Sequence, residues 1–138
     1  MIITLIGMSN CGKTYWSQKL ESIGFKRFVC DDIIEKKLEK ELKRLGFPGI
    51  NDVAKWMGQP YEKQYSHTRK IYLEFEKETL QEIIQEIKTD DKQKDIVIDT
   101  TGSVIYHDEK IIEQLQKLTK IVLLDTSESV LQEMFVSY

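Results

Sequence analysis

The chain has 138 residues, 41% of them hydrophobic and 31% charged, and a formal net charge of −3. That profile describes one globular domain with a real core and excludes a disordered or fibrous chain. The 20 basic residues include only three arginines, Arg27, Arg44 and Arg69. They alternate with acids instead of gathering with aromatics into a stripe, so nucleic acid is not expected as a partner.

Cys11 and Cys30 lack the spacing of a disulfide framework or a metal site. The apolar runs are strand-sized, and Met1–Ile6 has neither a preceding basic residue nor a following cleavage pattern. No leader or membrane span is expected, and the cytoplasm is the expected compartment.

Met1–Ile6 reads as a short apolar strand, followed by Gly7-Met8-Ser9-Asn10-Cys11-Gly12-Lys13-Thr14 and a helical pattern from Lys13 to Ser22. Strand, G-x-x-x-x-G-K-[ST], helix is the order that a phosphate-binding loop requires. The glycines let successive backbone N–H groups turn inward, and the helix aims its positive end at the same point. All eight residues, Gly7 to Thr14, are therefore assigned to nucleotide phosphates. Lys13 reaches the β/γ-phosphates and the Thr14 hydroxyl ligates Mg²⁺.

Trp16 and Leu20, one turn apart, are expected in the core, and Gly24 closes the helix. Phe25–Cys30 is predicted as a second strand. Asp31-Asp32 follows, one carboxylate capping a helix from Ile33 to Leu45 and the other facing a cleft, where it orients a substrate hydroxyl or acts as its base. Ile33, Ile34, Leu38, Leu42 and Leu45 give that helix an apolar face, with Glu39–Lys43 paired outside.

Asn51 caps a short helix through Met57. A long helical pattern then runs from Pro60 to about Lys88 on Tyr65, Tyr72, Phe75, Leu80, Ile83, Ile84 and Ile87, long enough to admit a bend. A charged loop precedes the third strand, Asp95–Asp99. Thr100–Ser103 makes a tight loop, Asp108–Leu118 a helix, Lys120–Leu124 a fourth strand and Ser127–Phe135 a last helix.

Short apolar strands alternating with helices predict a three-layer α/β domain with a parallel sheet. In such a sheet, ligands gather at the carboxyl ends of the strands. The phosphate loop, Asp31-Asp32 and Asp99-Thr-Thr-Gly102 all fall there. Asp99 stands where a Walker-B acid would hold Mg²⁺, and Asp32 joins it and Thr14 as a candidate metal ligand. His67 and His107 have no partner at a telling spacing and are assigned surface or helix-cap roles. Cys11 is read as a tolerated loop position without redox chemistry.

These motifs resemble the shikimate kinase branch of the P-loop nucleoside monophosphate kinase-like proteins. The resemblance spans the phosphate loop, Asp31-Asp32-Ile33-Ile34-Glu35, the helical segment of about residues 32–94, the third strand, and the fourth with its L-D-x-x-x-x-V-L continuation. It implies a P-loop fold with strand order 2-3-1-4, the helical segment as a substrate-binding insert, and ATP with Mg²⁺ phosphorylating a hydroxyl of a small molecule. Lys13 and Asp31 then carry the catalytic roles, with Asp31 binding the acceptor hydroxyls and Gly102 in the substrate loop.

Departures are specific. The family's first acid falls at Val29, its F-R clamp at Tyr72-Leu73, and its triple glycine at Thr101-Gly102-Ser103. With the carboxylate-gripping arginine replaced, an acceptor other than shikimate is expected, and Arg69, one turn before Leu73, is the candidate to take over part of the anion grip. No arginine follows Arg69; the resemblance stops at Tyr138, before the family's lid, its arginine and its fifth strand, so the chain is read either as a fragment of a longer protein or as a shortened nucleotide binder. Without a fifth strand the fourth would be an edge open to self-association. The alternative is a nucleotide-binding switch without phosphotransfer, suggested by Asp99-x-x-Gly102, although Leu124-Asp-Thr-Ser127 carries no guanine-reading motif.

Overall fold

The computed structural model describes residues 1–8, 11–44, 46, 57–58, 61–90, 94–102, 104, 107 and 109–124. Its strands are β1 (Ile2–Ile6), β2 (Lys26–Val29), β3 (Ile96–Asp99) and β4 (Lys120–Leu123). Its helices are α1 (Lys13–Ser22), α2 (Cys30–Arg44), α3 (Tyr65–Thr89) and α4 (Glu109–Leu118). All strand pairs are parallel, in the order β2-β3-β1-β4. The α/β class and strand order are those the sequence predicts.

Register brings the carboxyl ends of the strands together. Asp99 lies opposite Leu5 on one side and Val29 on the other, while Leu5 faces Val122. The Leu124 N–H continues the ladder by donating to the Ile6 carbonyl at 2.9 Å. The loop after β1 therefore opens between the ends of β3 and β4.

β3 is buried throughout, and its residues alternate between two faces. Ile96 and Ile98 join the core with Leu80, Ile83, Ile84 and Ile87 of α3 and Ile111 and Leu115 of α4. Asp99 points to the opposite layer, where α1 lies. α2 packs on α3 through Ile34, Leu38 and Leu42, each fully buried. The Glu39–Lys43 pair forms outside at 3.4 Å. Gly24, at φ +107°, ends α1 two residues past Ser22, in the left-handed region that glycine tolerates without strain.

Several local expectations are corrected. α1 buries Lys13 and Ser17, whereas Trp16 is 48% exposed; the sheet below offers that helix a carboxylate, so a hydroxyl faces inward and the tryptophan outward. α2 begins directly at Cys30, placing Asp31 and Asp32 inside its first turn, where acids favour the dipole, instead of at an N-cap. β2 is shorter than the expected Phe25–Cys30, running Lys26–Val29, because Cys30 already belongs to α2. α3 starts at Tyr65, after a turn over residues 61–64, and continues for 25 residues. The expected start of the long helix at Pro60, the helix from Asn51 up to Trp56, and the last helix from Ser127 fall outside the described residues.

Leu38 is fully buried at the α2–α3 contact. Leu38→Ala is expected to destabilise the domain by about 2–5 kcal/mol. Urea unfolding would show this as a lower midpoint with an unchanged slope.

Candidate nucleotide and acceptor site

The loop from Gly7 to Thr14 is shaped by two glycines in the left-handed region, Gly7 at φ +152° and Gly12 at φ +101°. A Cβ at Gly7 would lie 2.6 Å from Cys11 Sγ and 2.8 Å from the Leu124 carbonyl oxygen, so only glycine fits there. Gly12 is the N-cap of α1 and accepts the helix's first hydrogen bond, from Trp16 N–H at 3.0 Å. The Cys11 N–H donates to the Met8 carbonyl at 3.2 Å and tightens the turn. Ser9 and Asn10 lie outside the described residues.

Lys13 is the first residue of α1 and is buried. Its ammonium donates to the carbonyl oxygens of Gly7 at 2.5 Å and Met8 at 3.0 Å, arching back over the loop. Thr14 is exposed beside it. The loop mouth thus holds a cation, a hydroxyl and the positive end of a helix within one turn.

Below the loop, Asp99 is 4% exposed and held by α1 and β2. The Ser17 hydroxyl donates to Asp99 Oδ2 at 3.0 Å, and Arg27 Nε donates to Ser17 Oγ at 2.8 Å. The Arg27 guanidinium approaches Asp99 Oδ2 at 3.8 Å. One carboxylate oxygen therefore anchors α1 to the sheet. Neither Ser17 nor Arg27 stands out in the sequence, since a serine in a helix and an arginine in a strand usually face solvent.

Asp31 stands at the start of α2, and Tyr72 Oη donates to its Oδ1 at 3.2 Å. Although part of this carboxylate reaches solvent, the protein crowding its inner side removes hydration and pushes its pKa up. The Tyr72 hydroxyl opposes that shift, Asp99 and Glu76 reinforce it, and Lys13 counters it. Asp31 therefore shares the electrostatic field of the phosphate loop. Asp32 is exposed and acts instead on Glu35, whose pKa is raised by burial and then by the charges of Asp32 and Asp31. Burial, followed by the charges of Glu76, Asp31 and Asp99, pushes the Cys30 thiol far up, which makes it an inert core residue. Tyr72 is likewise raised by burial and by Asp31, so it stays a neutral donor.

Glu76, 1% exposed, lies one turn beyond Tyr72. His107 Nε2 stands 2.8 Å from Glu76 Oε1, within ion-pair distance but out of hydrogen-bond alignment. The His107 side chain is thus buried, 6% exposed, and not at the surface as expected. Its partner comes from α3, distant in sequence. An acid on the otherwise inward stripe Thr68, Tyr72, Glu76, Thr79 and Ile83 is the signal that could have marked this pair.

Arg69 is exposed on α3, one turn before Tyr72, and His67 is also exposed. Thr101 is buried and Gly102 lies exposed in a turn. Among the described residues, no group of three or more His, Cys, Asp or Glu side chains is placed to hold a metal ion. Magnesium bound to a nucleotide keeps water and phosphate ligands and needs only one or two from protein. Thr14, Asp99 and Asp32 are the candidates for that smaller requirement: Thr14 and Asp32 are exposed, and Asp99 is buried against Ser17. No helix among the described residues is long and apolar enough to cross a membrane.

The Ser17–Asp99–Arg27 contacts carry a direct expectation. Ser17→Ala leaves a buried carboxylate and a guanidinium without their shared hydroxyl and should cost about 1–3 kcal/mol of stability. Thermal unfolding followed by circular dichroism would measure it.

No protein-family model and no curated protein matches the chain. Solved structures do. Shikimate kinase from Aquifex aeolicus vf5 superposes with a TM-score of 0.58 at 21% identity, over 94% of this chain and 62% of that one. Shikimate kinase from Bacteroides thetaiotaomicron gives a TM-score of 0.54 at 19% identity, over 95% and 60%. Dephospho-CoA kinase from Campylobacter jejuni gives 0.45 at 14% identity, over 99% and 94%. The chain shares the α/β fold of the two shikimate kinases and spans about three fifths of their length.

Proposed function

We propose that this domain binds ATP with Mg²⁺ and transfers the terminal phosphoryl group to a hydroxyl of a small molecule other than shikimate. The observation that carries the reading is the juxtaposition at the sheet's carboxyl end. There Lys13 arches over a glycine-shaped loop, and Asp31, held by Tyr72, lies in the same field.

Each residue has a part in this reading. Backbone N–H groups from Gly7 to Thr14 cradle the phosphates, and Lys13 trades its loop carbonyls for phosphate oxygens. Thr14 and Asp99 would hold the magnesium ion, which when bound neutralises charge on the β- and γ-phosphates. Asp31 orients the acceptor hydroxyl and accepts its proton, Tyr72 keeps the Asp31 carboxylate in place, and Gly102 lines the acceptor side. Positioning and charge stabilisation supply most of the rate in such a transfer. Leu73 offers no grip on a carboxylate where the resembling kinases have an arginine, which supports an acceptor other than shikimate; Arg69 contributes what anion contact there is.

Lys13→Ala is expected to abolish acceptor-dependent ADP release, by at least about a hundredfold. A panel of hydroxylated metabolites and nucleosides in a coupled ADP assay tests this. No stimulation by any of them would overturn the kinase reading in favour of a nucleotide-binding switch.

The pH dependence follows from Asp31. A base with a raised pKa stays protonated further up the scale, so activity rises only once the pH passes that shifted value. Tyr72→Phe removes the hydroxyl that stabilises the carboxylate. The acidic limb of kcat/KM against pH should move to still higher pH; an unmoved limb would assign the base elsewhere.

A further inference from the structure

Tyr15 and Trp16 follow Lys13 and Thr14 in the first turn of α1, and both face solvent, 54% and 48% exposed. Their rings stand 5.2 Å apart and nearly perpendicular, at 81°. The Lys19 ammonium lies 4.9 Å from the Tyr15 ring centre and 5.7 Å from that of Trp16, a cation over both faces. Trp16 is also against the phosphate loop, since a Cβ built on Gly12 would lie 3.7 Å from its Cδ1.

A helix that turns a tyrosine and a tryptophan outward while burying a lysine and a serine is not using its aromatics for the core. The loop itself indicates what covers them. Phosphates seated at Gly7–Thr14 bring their nucleoside along. At a rise of about 1.5 Å per residue, Trp16 lies only about 6 Å along the helix from Gly12. A purine is flat, apolar on its faces and joined to the phosphates by a short linker. Perpendicular rings make a corner in which a base stacked on one ring meets the edge of the other.

We propose that Tyr15 and Trp16 form a base-stacking platform for the nucleoside of the nucleotide whose phosphates occupy the Gly7–Thr14 loop, with Lys19 bracing the two rings from the following turn of α1. This rests on the phosphate-loop reading above and adds to it the site of the base. Stacking engages the ring face and not the hydrogen-bonding edge, so the platform supplies affinity with little discrimination between purines.

Calorimetric titration of the whole chain with ATP, GTP and inorganic tripolyphosphate, each with Mg²⁺, tests the proposal. Tyr15→Ala and Trp16→Ala should each weaken ATP and GTP alike by about tenfold, a typical loss for one stacked base. Tripolyphosphate, which has no base, should keep its affinity within about twofold, and that retained binding doubles as the check that the loop is still folded. Trp16→Phe should restore most of the nucleotide affinity. Unchanged ATP binding in both alanine variants overturns the platform and leaves the phosphate loop standing. Equal losses for ATP and tripolyphosphate also overturn it, by tracing the effect to the Trp16–Gly12 packing. If the parent chain binds neither ATP nor tripolyphosphate, the phosphate-loop reading fails and the platform with it.

Discussion

A single buried carboxylate determines how the phosphate loop is held. Asp99 ends the central strand, where β1 and β2 flank it, and it meets α1 through Ser17. Burying an ionised acid is costly unless it is hydrogen-bonded and near opposite charge, and Ser17 with Arg27 supplies both. Because Ser17 is one turn beyond Lys13, this anchor fixes the rotation of α1 about its own axis. The same rotation directs Lys13 across the loop and turns Tyr15 and Trp16 to the outside. An apolar contact at Ser17 would hold the helix against the sheet but would leave that rotation less specified.

α3 divides into two kinds of surface along its length. Its carboxyl-terminal half buries Leu80, Ile83, Ile84 and Ile87 and is ordinary core. Its amino-terminal half buries Thr68 and Glu76 on the same stripe and half-buries Tyr72. Thr68 Oγ1 donates to the Met57 carbonyl at 2.7 Å, tying the helix to the preceding segment. One helix thus serves as a packing element at one end and as a wall of polar groups near Asp31 at the other. The transition falls at Glu76–Thr79, where polar side chains are buried as deeply as the leucine that follows.

The sequence made the phosphate-loop motif and the inward faces of α2 and α3 readable, because each rests on periodicity or on a motif with fixed spacing, while the strand order came only through the resemblance those motifs carry. Ile34, Leu38 and Leu42 declare themselves by helical repeat alone, whereas Cys30, read as the end of the second strand, opens α2. What sequence reading missed depends on contacts between distant residues. The outward turn of Trp16 follows from Asp99, 83 positions away, claiming Ser17. The burial of His107 follows from Glu76 on another element. A histidine or a tryptophan has no intrinsic preference strong enough to announce either outcome. The capping role expected of Asp31 or Asp32 likewise gave way because the helix starts at Cys30 and takes both into its first turn.

The lysine folded over its own loop has a consequence for selectivity. Its ammonium already holds two carbonyl oxygens, from Gly7 and Met8. An arriving anion must displace those bonds before it gains the lysine, so the loop sets a threshold. On the phosphate-loop reading, an anion with several charged oxygens could replace both bonds with charge-assisted ones and meet the helix terminus at the same time. The resting position of one side chain would then favour anions large enough to replace both bonds together.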